Sequence, residues 1–465
     1  MTPANSDPGT LLRTAWDDMI KSLQAARDAL DQPELMPAPA TERNLAEGYR
    51  YLAGYLHSAI ERAFHDDPQR PQFRNALSII TRGTIDNADA IYFYAPLDGR
   101  NSYLISGRMG DSRHWRGEPP APGAPRAPHY LIFEASSGGL TGDSGDLGEL
   151  RPGVKSQTGR LDSSAMQVEA DGTFEILLAP ERPPGYAGNF IATLKMVDKP
   201  HPIDPELGPA RYASYVSGRQ LFNDWEHEEA IHFDIVQVGA EGSQPPPYTV
   251  VCAARQIRQM GEIVRGQLHF WNAFWTIPMG TYGERSGSLP GVAFPRNAFN
   301  RINAASGATG GGMSTNLYAG GVFELAEDEA LIIENRIALQ PNYIGFQLSN
   351  LWGESLDYAN RTGSLNGHQC VPDADGVLRL VIAHRDPGVP NWLDTGGHSE
   401  GFMAPRWAYS ETPPQDQWPR IKAVKVPFGE LRDQLPAATP VITPAQRRAQ
   451  IALRQRHVQK RFRSF

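Results

Sequence analysis

The sequence predicts a mainly β protein with added α-helices, in which two duplicated antiparallel β-sandwiches are flanked by helical segments. Three observations lead there. Short β-branched or aromatic runs are bounded by Gly, Asp and Pro, they recur in two halves in the same order, and a few long amphipathic stretches stand beside them. The 45 Gly and 39 Pro of the 465 residues are spread among apolar runs instead of forming a low-complexity tract, as in a turn-rich globular chain.

Residues 11–30 place Leu12, Trp16, Met19, Ile20 and Leu23 at helical spacing, and a Pro-rich linker that cannot be helix separates them from residues 41–64. In this second stretch Thr41 is placed as N-cap with Asn44 at N3. Leu45, Tyr49, Leu52, Leu56, Ile60 and Phe64 form one apolar stripe, expected to pack on the strands downstream. From about residue 77 the period changes, and runs at 90–94, 102–106, 129–133 and 174–178 read as strands. The pattern ends near Gln237. Residues 248–275 read as helix, with Ile257, Met260, Ile263, Val264, Leu268, Trp271 and Trp275 on one side. A second set of short strands fills 319–428, and residues 443–465 form a basic closing helix with Pro444 in its first turn. The expected domains are an N-terminal helical hairpin (1–76), a first sandwich (77–240), a central helix and linker (241–295), a second sandwich (296–440) and a C-terminal basic helix (441–465).

The duplication rests on ordered matches. Residues 168–179 resemble residues 372–383 at a constant offset of 204, each a turn, Asp171-Gly172 or Asp375-Gly376, followed by a strand. Asn189-Phe190 answers Asn391-Trp392, and residues 90–104 match 330–344 at an offset of 240, which pairs Tyr103 with Tyr343. Arg219 and Arg406 fall at comparable places on later strands.

Charge and cysteine content narrow the function classes. Lys and Arg number 44 against 52 Asp and Glu, a net charge of −8, which argues against a nucleic-acid partner. Only Cys252 and Cys370 are present, so neither a disulfide framework nor a thiolate zinc site is expected, and a reducing compartment is. The first residues have no basic or apolar signal region, and no apolar run approaches the roughly 20 residues that span a bilayer. A soluble cytoplasmic protein without a membrane partner is expected; the oligomeric state is not legible.

Thr41-Glu42-Arg43-Asn44-Leu45-Ala46-Glu47-Gly48-Tyr49-Arg50-Tyr51-Leu52 resembles bacterial proteins of the family catalogued as domain of unknown function 1214. Asp86-Asn87-Ala88-Asp89, Leu97-Asp98-Gly99-Arg100, Arg219-Gln220 with Asp224-Trp225, and Asn391-Trp392-Leu393-Asp394 carry the same resemblance over nearly the whole chain. It implies two jelly-roll-like β-sandwiches with added helices and no established reaction.

No phosphate-binding Gly motif and no nucleophile elbow occur. His227 and His232, in an acidic stretch, differ by an odd number and point to opposite faces of a strand, so a solvated acidic turn is expected there and no metal. Polar groups found in only one copy are freer to serve function. His384, His368, Glu354 and Asp357 are therefore the acid/base candidates, with Tyr358 beside them as a catalytic hydroxyl. Arg361, Arg406 and Asn391 are placed as substrate-binding groups, and Trp352, Trp392 and Trp407 as apolar walls. Three readings stay open: a cofactor-independent hydrolase or lyase acting on a small, partly apolar or sugar-like molecule in a groove of the second sandwich; a non-catalytic small-molecule or carbohydrate-binding protein; and a structural protein whose tryptophans are core.

Overall fold

The computed structural model describes residues 7–32, 35, 38–279, 293–304 and 315–463. The chain is mainly β, with several antiparallel sheets in two halves and a small number of helices. Contacts divide it into one body of Met1–Thr81, Ile91–Leu221 and Glu229–Phe274 and a second of Arg82–Ala90, Phe222–Glu228 and Trp275–Phe465. The second is thus completed by two short excursions from the first half of the sequence.

In the first half, helices α1 (Pro8–Asp28) and α2 (Glu42–His65) precede β1 (Arg74–Leu77), β2 (Ala90–Pro96), β3 (Tyr103–Arg108), β4 (Tyr130–Ser136), β5 (Gln157–Asp162), β6 (Thr173–Ala179), β7 (Asn189–Ala192), β8 (Leu194–Met196), β9 (Ala210–Tyr212), β10 (Tyr215–Leu221) and β11 (His232–Gln237), and α3 (Val250–Trp275) comes next. The strands form a five-stranded sheet β1-β2-β10-β4-β5, a four-stranded sheet β11-β3-β6-β7 and a β8-β9 ribbon. Alternate residues of both larger sheets, among them Phe93, Ile105, Phe133, Ile176 and Val216, meet in one core.

The second half holds β12 (Asn316–Tyr318), β13 (Gly321–Glu324), β14 (Glu329–Arg336), β15 (Tyr343–Ser349), β16 (Ser364–Asn366), β17 (Leu378–Ala383), β18 (Trp392–Asp394), β19 (Glu400–Met403), β20 (Arg406–Ala408) and β21 (Arg420–Pro427), then α4 (Leu431–Gln434) and α5 (Pro444–Arg461). One sheet runs β12-β20-β15-β19-β13 with β16 on β15, and the other runs β18-β17-β14-β21. Ile333, Phe346, Leu380 and Met403 share a core between them. The far face of β14 and β17 is covered by Leu431 and Leu435. That second cover explains why every residue of β17 is buried and why it reads as a continuous apolar run.

The two four-stranded sheets have the same order and sense. β3 pairs antiparallel with β6 and β6 parallel with β7; β14 pairs antiparallel with β17 and β17 parallel with β18. The turns ahead of β6 and β17 both bend at a left-handed glycine, Gly172 (φ 86°) and Gly376 (φ 77°). Asn189 donates to the Gln167 and Glu175 carbonyls and accepts from Gln167 N–H. Asn391 does the same with Val371 and Arg379, each partner displaced by 204 residues.

Two expectations are corrected. The offset of 240 is one strand out of phase: Tyr103 pairs with Leu178 and Leu331 with Ile382, so β3 corresponds to β14, and Tyr343 lies on β15 of the other sheet. The sheets are also not purely antiparallel, because β6-β7 and β17-β18 run parallel.

Two helices begin where the sequence places them. Thr41 accepts from Asn44 N–H at α2, and Thr443 forms a full capping box with Gln446 at α5. The buried face of α2 is nevertheless not its apolar stripe. Gly48, Tyr51, Gly54, Tyr55, Ala59 and Ala63 face inward, while Leu45, Tyr49, Ile60 and Phe64 are exposed. A Cβ on Gly54 would stand 2.8 Å from the Ile80 carbonyl oxygen, so close packing of the helix on the chain selects small residues on that face.

Candidate functional site

The residues picked out by sequence scatter over the second half, and most are held by the fold. His384, just beyond β17, lies 2.9 Å from Thr395 Oγ1 through Nδ1 and 3.2 Å from the Leu325 carbonyl through Nε2. A carbonyl only accepts, so Nε2 carries the proton and Nδ1 accepts from the Thr395 hydroxyl. Thr395 is fully buried, and its hydroxyl also accepts from Gly397 N–H. This is the chemistry of a clamped loop. The same loop brings in Arg361, 3.0 Å from Asp394, and His398, 2.7 Å from the Thr395 carbonyl.

The other candidates are elsewhere. Glu354 is buried in the turn that holds Trp352 and accepts from Asn350 Nδ2 at 2.7 Å. Asp357 caps its own turn through Ala359 and Asn360 N–H. Asn391 spends its amide on Val371 and Arg379. Trp392 donates to the Ala383 carbonyl, Trp407 is a fully buried core residue, and Arg406 donates to the Ile85 carbonyl. Tyr358 is buried, and its carbonyl accepts from Arg454 Nε at 2.8 Å.

A denser polar centre forms where the two excursions meet β15, β16 and α5. Asp89 accepts from Tyr343 Oη at 2.5 Å, Trp225 Nε1 at 2.8 Å and Asn366 Nδ2 at 2.9 Å, all buried. Asp86 accepts from the backbone and hydroxyl of Ser355, and burial pushes its carboxyl up. Thr84 and Ile85 enter this centre with φ of 62° and 52°, a region costly for β-branched residues. They are held there by Ile85 N–H to the Gly353 carbonyl and by Arg406 on the Ile85 carbonyl.

From α5, Arg454, His457 and Arg461 project into the centre at intervals of three and four, one face of the helix. Both guanidinium groups lie over the Trp225 ring, at 4.6 Å and 4.4 Å, and His457 stacks on it at 4.9 Å. Burial drives the Arg454 group down to about 10, and burial together with Arg461 drives His457 down to about 2. Arg454 donates to the Tyr358 carbonyl and Ser364 Oγ and Arg461 to the Ala88 carbonyl, so hydrogen bonds and π faces replace water around the two guanidinium groups.

At the edge of this centre Asp224 is buried between two histidines. Its Oδ2 is 2.8 Å from His227 Nδ1 and its Oδ1 is 3.6 Å from His368 Nε2, and the side chains of His227 and His368 are 49% and 53% exposed. Burial raises the Asp224 carboxyl, but the His227 hydrogen bond and the His368 charge outweigh it and leave the group below the usual carboxylate range. The chain brings the two histidines together because Asp224 caps its turn through Glu226 and His227 N–H, while Asn366 Oδ1 fixes His368 N–H. In the sequence His227 stands out only as a possible metal ligand, and the signal that could have found the pair is Asp224 at i−3. Asp86, Asp89, Trp225, Arg454 and Arg461 carry no signal of their own beyond the family-like segments.

Among the described residues no group of three His, Cys, Asp or Glu side chains is placed to hold a metal ion, and no helix is long and apolar enough to cross a membrane. A cavity of about 510 Å³ opens in the first half, lined by Leu11, Val251, Arg255, Arg258 and Glu262 among others, and a small one of about 10 Å³ lies beside Asp373 and Asn391. Neither is lined by a histidine.

No family model and no curated protein matches the chain. Two solved bacterial structures are similar. An uncharacterized protein from Burkholderia cenocepacia aligns over 91% of this chain and 99% of its own, with 25% identity and a TM-score of 0.70. The VPA0106 protein from Vibrio parahaemolyticus aligns over 87% of this chain and 100% of its own, with 11% identity and a TM-score of 0.39. The β-rich fold in two halves is therefore similar to that of a bacterial protein that is itself uncharacterized.

Proposed function

We propose that the two halves are copies of one jelly-roll-like unit, as the family resemblance implies, and that the chain is a cytoplasmic acid–base enzyme hydrolysing or eliminating on a small, partly apolar or sugar-like molecule. The shared sheet order and the equivalent Asn189 and Asn391 staples support the first part. The second is carried by one observation, the buried Asp224 between the half-exposed His227 and His368.

The chemistry comes from the donors. Asp224 accepts from His227 Nδ1–H, which fixes the tautomer and turns Nε2 outward as a proton acceptor. When that nitrogen takes a proton from water or substrate, the carboxylate 2.8 Å away stabilises the imidazolium. His368, whose Nε2 stands 3.6 Å from the same carboxylate, supplies a proton to the leaving oxygen from its imidazolium form. One group gains a proton as the other loses one, so the site is reset by exchange with solvent.

Screening the full chain against glycosides, lactones and hydroxy acids tests this. Turnover with a bell-shaped pH profile, reduced roughly 10²- to 10⁴-fold by His227→Gln or Asp224→Asn in a folded protein, is expected. Activity indifferent to His227→Gln and His368→Gln would overturn the proposal. Binding without turnover would replace it by the non-catalytic small-molecule reading.

A further inference from the structure

We propose that the outer face of α2 is a two-fold interface with a second copy of this chain. The helix turns Leu45, Tyr49, Ile60 and Phe64 outward, while Gly48, Gly54, Ala59 and Ala63 share its inward face with Tyr51 and Tyr55. Leu45, Tyr49, Ile60 and Phe64 are 46%, 56%, 45% and 39% exposed, and Leu52 and Leu56 between them are half-buried. The four leave roughly 350 Å² of apolar surface in water, already within the range of the largest patch on a monomer. The intervening leucines and the polar flanks extend this patch along the 24-residue helix. α1, which packs beside α2, exposes Trp16 and Ile20 as well.

The pattern is self-complementary, which selects a second copy over another partner. Reversed about the point between Gly54 and Tyr55, Leu45 falls on Phe64 and Tyr49 on Ile60. An antiparallel pair related by a two-fold axis therefore sets these four exposed residues against one another. The charges agree. Helical periodicity puts Arg50 and Glu61 on one flank of the stripe, in the N-terminal and C-terminal halves of the helix. In an antiparallel pair that flank meets itself, so Arg50 of each copy faces Glu61 of the other, twice per dimer. The interface is independent of the His227–Asp224–His368 site.

Sedimentation equilibrium of the full chain over a concentration series tests the proposal. The expected result is a dimer that Tyr49→Glu with Ile60→Glu converts to a monomer with unchanged far-ultraviolet circular dichroism. Arg50→Glu or Glu61→Arg alone should weaken dimerisation at least tenfold, and the two together should restore it. A monomer at tens of micromolar overturns the proposal, as does a dimer indifferent to the glutamate pair. A monomer that binds anionic-lipid vesicles through Tyr49 and Ile60 would replace the second copy by a membrane surface.

Discussion

His457 shows how one buried ring couples stability to acidity. In the unfolded chain its ordinary value is 6.5, whereas in the folded chain burial and the Arg461 charge hold it near 2. The unfolded state therefore binds the proton first, and stability is complete above pH 6.5 and is lost as the pH falls through the range below it. At pH 5 this single group costs about 2 kcal/mol, since each pH unit of difference is about 1.36 kcal/mol. We expect the melting temperature to drop between pH 7 and pH 5 and the drop to shrink in His457→Phe, which keeps the stacking on Trp225. Thermal melts of both proteins at the two pH values check this; an identical drop in the variant would assign the acid sensitivity to other groups. Nothing in the sequence distinguishes His457 from the other residues of a basic helix. Its burial depends on Trp225, which lies 232 positions earlier.

Single elements are legible where the determinant is local. Thr41 and Thr443 mark their helices because capping involves residues three apart, and the Asp-Gly turns at 171 and 375 mark their strands because a left-handed bend favours glycine. The buried side of α2 is not legible, since it is chosen by how closely the helix approaches Ile80 and not by hydropathy. The sequence matches around 171 and 375 identify corresponding strands correctly, while the match through Tyr103 and Tyr343 does not, because two aromatic–aliphatic runs look alike whichever sheet they join. The staple asparagines belong to this scale. Asn391 makes three buried or half-buried hydrogen bonds that tie the approach to β18 to the loop before β17. Asn391→Ala should cost roughly 2 to 4 kcal/mol, because it strands backbone groups at both Val371 and Arg379. Urea denaturation measures it, and a loss below about 0.5 kcal/mol would mean that water replaces the amide.

At the scale of the whole molecule, the second half is not a contiguous piece of chain. Residues 275–465 contain Tyr343, Gln347 and Asn366, but their partners Asn87, Ala88 and Asp89 come from an excursion. A fragment of residues 275–465 should therefore fail to give a dispersed amide spectrum by nuclear magnetic resonance, although it holds both sheets of its sandwich. A well-dispersed spectrum would show that the excursions are dispensable. Linear reading of the sequence places domain borders between elements and has no means of detecting such exchange; Asp86-Asn87-Ala88-Asp89 stands out as a segment, yet its destination does not. The exchange also sets a clock on synthesis. Arg461 Nη1 bonds the Ala88 carbonyl across 373 residues, and at a ribosomal pace of about 5 to 20 residues per second the earlier segment waits roughly 20 to 75 seconds for its partner to be made. The other partners arrive in turn within that interval: Trp225 136 residues after Asp89, Tyr343 254 after Asp89, Ser355 269 after Asp86 and Arg406 321 after Ile85. The nascent chain therefore finishes its second half only after the final helix leaves the exit tunnel.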